Sequence, residues 1–70
     1  MPEWVIVAES TDGVPIVLAG WVMDEHWIRA DAARQRAAAP AIFATRWGAK
    51  RTIRRLSKTV TPRAIRYDRL

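Results

Sequence analysis

Two apolar runs separated by a turn signal open the chain. Trp4-Val5-Ile6-Val7-Ala8-Glu9 and Val14-Pro15-Ile16-Val17-Leu18-Ala19 are rich in β-branched side chains, and Ser10-Thr11-Asp12-Gly13 between them carries the Asp-Gly signature. They predict a β-hairpin with a four- or five-residue loop. Pro15, lacking an amide donor, fits a strand start or an edge. Gly20 interrupts the second run, and Trp21-Val22-Met23 either extends that strand past a bulge or begins a short third one.

Residues 24–39 have weak periodicity. Asp24 is a helix-cap residue type and the alanines and arginines have high helix propensity, but the apolar side chains are mostly small. The reading favours a turn or short helix over residues 31–38, ended by Pro40. Ala41-Ile42-Phe43-Ala44 is a short strand candidate, and Thr45 is a good N-cap for a helix over residues 46–58. Within it Ala49, Ile53 and Leu56 fall at i, i+4 and i+7, one buried face. Beyond Pro62, residues 64–70 alternate as a terminal strand, with Ile65 and Tyr67 towards the helix and Arg66 and Asp68 towards water. The expected fold is α+β: one domain over residues 1–70, with a small antiparallel sheet of three or four strands packed against one amphipathic helix in the order β-β-(β)-α-β.

Seventy residues, half of them hydrophobic and four of them tryptophan, are too apolar for intrinsic disorder. A chain this short buries only about 60% of the surface its unfolded form exposes, and without cysteine it has neither disulfides nor thiolate metal sites. Packing or a partner must supply the stability, so a homodimer is one expectation, with the hairpin edge as its interface. No stretch has the length of a membrane span, and the first residues lack the basic region of a signal peptide. The expected location is the cytoplasm, with no membrane partner.

Charge sharpens this picture. The net charge is +5, and it is unevenly placed. Up to Thr45 three arginines face six acids, whereas nine basic residues after it face Asp68 alone. Such asymmetry points to an electrostatic partner, in general nucleic acid, an acidic protein face or an anionic membrane, and here, with no membrane partner expected, one of the first two. Arg46, Lys50, Arg51, Arg54, Arg55 and Lys58 share the outer faces of the expected helix. Arg51, Arg54, Arg55 and Lys58, at i, i+3, i+4 and i+7, would form a continuous cationic stripe on it. Trp47, one turn before Arg51, stacks on a base, forms a cation-π pair or anchors a protein interface, or else covers the edge of the core. Arg63, Arg66 and Arg69 extend the same field in this reading.

Catalysis is the weakest of the function classes. His26 is the one histidine, and adjacent residues in Asp24-Glu25-His26 point in different directions, so they do not converge on a metal. Ser10 and Ser57 have no neighbouring base, and Gly13, Gly20 and Gly48 are too dispersed for a phosphate-cradling loop. The sequence thus predicts a non-catalytic binding protein without metal or cofactor.

The segment from Trp27 through Ala41-Ile42-Phe43-Ala44-Thr45-Arg46-Trp47-Gly48-Ala49-Lys50-Arg51, after a hairpin opened by an aromatic and Val/Ile, resembles small accessory proteins of phages and mobile elements. The architecture is similar to that of some anti-CRISPR proteins, non-catalytic inhibitors that bind Cas proteins or their nucleic-acid grooves. That resemblance implies a stoichiometric inhibitor in a host cytoplasm and carries no catalytic residues. The cationic C-terminal half departs from the acidic members that imitate DNA, so the implied target is an acidic Cas surface or a nucleic acid.

Overall fold

The hairpin forms where the pattern places it. In a computed structural model that describes residues 2–70, β1 (Trp4–Glu9) pairs antiparallel with β2 (Pro15–Gly20), with Val7 opposite Val17 and Glu9 opposite Pro15. The turn closes through the Ser10 amide on the Val14 carbonyl at 2.9 Å, with Gly13 at φ 81°, a conformation glycine adopts without steric cost. Pro15 begins β2, as its missing amide requires.

Two further strands flank the hairpin. β3 (His26–Arg29) pairs with β2 and β4 (Arg63–Arg66) pairs with β1, giving the antiparallel order β3-β2-β1-β4. The register of β2 slips between Leu18 and Gly20, and Trp21 to Met23 belong to the connection to β3 and to neither strand. Both hairpin strands are therefore interior, and the hairpin offers no free edge for a homodimer. The sheet's outer edges are β3 and β4.

Both faces of this sheet are covered, where one helix on one face was expected. Alternate residues of β1 point to opposite sides. Val5, Val7 and Val17 pack with Ala30 and Ala33 of α1 (Ala30–Arg34), and Ile28, Ile65, Tyr67 and Leu70 close around them. Ile6 and Leu18 pack on the other side with Phe43 and with Ala49 of α2 (Arg46–Ile53), joined by Leu56 and rimmed by Trp4, Trp21 and Trp27. α1 lies over β2 and β3, and α2 over β1 and β4. Ile65 and Tyr67 thus face the α1 side and not α2. The expected terminal strand ends at Arg66 and passes into a 3₁₀ turn, Tyr67–Arg69.

Residues 41–44 do not form a strand of their own. The Ala41 amide donates to the Leu18 carbonyl at 2.9 Å, and Phe43 and Trp4 exchange both backbone bonds at 2.8 Å, a single bridge that satisfies β1 below the point where its pairing with β2 stops. Phe43 reaches the core there and stacks, tilted by 30°, on Trp21 with centroids 5.1 Å apart.

Candidate polyanion-binding surface

Thr45 starts α2 as its side chain predicts: Oγ1 accepts from the Gly48 amide at 3.0 Å, one of the orphan donors of a helix start. Gly48 suits that approach, because a Cβ there would sit 3.3 Å from Thr45 Oγ1. Ala49 is fully buried, Ile53 half-buried and Leu56 buried, so the expected inner face holds. Thr52, which the apolar pattern did not include, is also buried, its hydroxyl donating to the Gly48 carbonyl at 3.2 Å.

The helix is shorter than expected, ending at Ile53 and not at Lys58. The amides of Arg55 and Leu56 bond the carbonyls of Thr52 and Ile53, the i to i−3 pattern that tightens a last turn. Continuing would place Arg51 against Arg55 and Arg54 against Lys58, like charges one turn apart. Ser57 instead donates its amide and, at 3.0 Å, its hydroxyl to the carboxylate of Glu25. The Trp27 indole also donates to Glu25, at 3.4 Å. Donation from the Ser57 amide, followed by the two side-chain donors, holds the Glu25 carboxyl below its ordinary range.

The continuous four-residue stripe is therefore replaced by a helical part and a looped part. Trp47, Arg51 and Arg54 stay aligned at i, i+4 and i+7, since Arg54 keeps helical dihedrals as the C-cap. Arg55 and Lys58 project from the turns that follow. Arg46, Lys50, Arg51, Arg54, Arg55 and Lys58 are all exposed. Trp47 is 67% exposed, away from the core edge, and the Arg51 guanidinium lies over its ring, 4.8 Å from the centroid.

Arg63, Arg66 and Arg69 do not share one face: Arg63, opposite Val7, lies on the α1 side of β4, and Arg66, opposite Trp4, on the α2 side. Arg63 pairs across from Val7 and, with Arg34 and Arg69, borders an open depression of about 150 Å³ on the α1 face. Arg66 lines a neighbouring depression of about 750 Å³ with Arg34, Arg36 and Tyr67, but Glu3 and Asp68 line it too, and Arg66 is paired with Asp68 at 3.3 Å. Residues 46–58 thus contain no acid of their own, whereas the arginines of β4 and the 3₁₀ turn sit among Glu3, Glu9 and Asp68. Of the twelve lysines and arginines, Arg29 and Arg66 hold ion pairs among the described residues, and the other ten hold none.

His26 lies exposed at the outer edge of β3, and no group of three or more His, Cys, Asp or Glu is placed to hold a metal among the described residues. No helix among them is long and apolar enough to cross a membrane. Compared with protein-family models, curated proteins and solved structures, the chain matches none.

Proposed function

We propose that this protein is a non-catalytic nucleic-acid-binding protein that grips phosphates with residues 46–58. The observation carrying this reading is the exposure of six cations in that segment, with no acid among its thirteen residues and no ion pair to any of them among the described residues. Self-repulsion along such a segment is relieved by polyanions, and each phosphate neutralised releases counterions.

Salt dependence is the test. With four phosphates engaged, the slope of log K against log salt is about −3.6 on duplex DNA, roughly a hundredfold loss of affinity between 50 and 200 mM salt. Fluorescence anisotropy with labelled oligonucleotides measures it. Absence of binding at 50 mM salt, or a flat salt response, would overturn the proposal.

A second reading, a stoichiometric inhibitor of the anti-CRISPR type docking on an acidic Cas surface, is favoured by Trp47. Two thirds of this indole stands in water, leaving about 3 kcal/mol of burial free energy unrealised at about 25 cal/mol per Å², and Trp beside Arg is the composition of an interface hot spot. Pull-down with purified Cas complexes tests it: retention that Trp47→Ala abolishes supports it, and no retention removes it.

A further inference from the structure

The same surface says which form of nucleic acid it fits. Trp47 lies on the side of α2 opposite Ala49, so its indole points away from the core, and it remains 67% exposed. One face of the ring is occupied by the Arg51 guanidinium at 4.8 Å. Nothing else in the aromatic or hydrogen-bond contacts of the described residues engages this indole. A flat, polarised ring held by a cation on one side offers its other side as a stacking platform.

Phosphate contacts alone have no use for such a platform. The bases of a duplex are stacked on one another, with only their edges reachable in the grooves, whereas an unpaired base can swing out onto an aromatic ring. Arg51 and Arg54 continue from Trp47 along one line of the helix, about 10 Å from the first to the last at 1.5 Å per residue. A backbone laid along that line meets cations on the side where its base meets the indole.

Resting on the nucleic-acid reading above, we infer that the ligand is single-stranded, with one base stacked on the open face of Trp47 and the adjoining phosphates held by Arg51 and Arg54. The stack tolerates any base, so discrimination is between strand forms and not between sequences.

Anisotropy titrations with a labelled 12-nucleotide single strand and the matching duplex, at one salt concentration, test this directly. The expected result is tighter binding of the single strand and a loss of roughly 5- to 150-fold for it with Trp47→Ala, the range found for one base stack. Duplex affinity should fall by much less, since only the support of the Arg51 guanidinium is lost there, and Trp47→Phe should recover part of the single-strand loss. Far-UV circular dichroism and melting of each variant establish that the fold is kept, as a solvent-facing position allows. Equal or tighter binding of the duplex, or a Trp47→Ala loss that is the same for both forms, overturns the single-strand inference and leaves the phosphate reading standing. Absence of binding to either form overturns both.

Discussion

Arg36 has the one non-glycine backbone with positive φ among the described residues, at 60°. It follows the C-cap of α1, Gln35, and its amide bonds the Ala33 carbonyl at 3.2 Å while the Ala37 amide bonds Ala32 at 2.9 Å. That pair of bonds is a Schellman motif, whose left-handed position glycine usually fills. A side chain with a Cβ costs about 1–2 kcal/mol in this conformation. Glycine would remove the strain but adds about 0.5–1 kcal/mol of unfolded-chain entropy. The balance favours Arg36→Gly by about 0.5–1 kcal/mol, and about 4–8 °C per kcal/mol for a domain of this size makes that a rise in Tm of roughly 2–8 °C. The Arg36 side chain is exposed and holds no hydrogen bond or ion pair among the described residues, so its loss subtracts little.

Arg36→Ala isolates the cause, because it removes the guanidinium and keeps the Cβ. Thermal melts by circular dichroism should place Arg36→Gly above the parent and Arg36→Ala at or near it. Equal melting of the two variants would refute the strain account, and a gain shared by both would assign the cost to the arginine's charge instead.

The remaining expectations concern the segment that carries the basic surface. Thr45→Ala removes the acceptor of the Gly48 amide and should cost about 1 kcal/mol in urea unfolding, whereas Thr45→Ser should cost much less. Because hydrogen bonding lowers the folded-state pKa of Glu25, its contribution is complete above the ordinary carboxylate value near 4.5 and is lost as pH falls through the lowered value. The difference in Tm between the parent and Glu25→Gln should therefore be larger at pH 7 than at pH 3, and a constant difference would refute the linkage. On the proposed phosphate contacts, Arg51→Ala and Arg54→Ala should each reduce the salt slope by about 0.9 on duplex DNA, and Arg34→Ala, on the opposite face, should leave it unchanged.

Local chemistry made much of this fold legible. Asp12-Gly13 specified the hairpin turn, Pro15 the strand start and Thr45 the helix start, because each acts through its own backbone or a neighbour's. The second layer is signalled only by the texture of β1. Val5-Ile6-Val7-Ala8 is an unbroken buried run with no polar alternation, the pattern of a strand covered on both faces. Small side chains in α1 argued against a packed helix there. The fold resolves this by bringing Ala30 and Ala33 close to the sheet and filling the rest of that face with Ile65, Tyr67 and Leu70 from elsewhere in the chain. β3 was illegible for a related reason: His26-Trp27-Ile28-Arg29 has no strong strand pattern, and its partner β2 supplies the decision. Among the basic residues, exposure followed from composition but grouping did not. The three-residue spacing of Arg63, Arg66 and Arg69 has no single face on a strand followed by a 3₁₀ turn.

The end of α2 is where the demands of core and charge meet. A helix continuing to Lys58 would keep Leu56 on the inner face, so burial alone does not require the break. Repulsion between Arg51 and Arg55 and between Arg54 and Lys58 disfavours continuation by a few tenths of a kcal/mol per pair, roughly the scale of one helical residue's propensity. A small bias of that kind is decided by what the alternative satisfies, and here the alternative gives Ser57 to Glu25, thirty-two residues away in the chain. The acid that reaches the basic segment is thereby bonded to a backbone amide and a hydroxyl and not to a guanidinium or an ammonium. It fixes the end of the segment without an ion pair to any of its cations among the described residues, so the six side chains keep their donors for a ligand while the Glu25 carboxylate offsets part of the local positive charge.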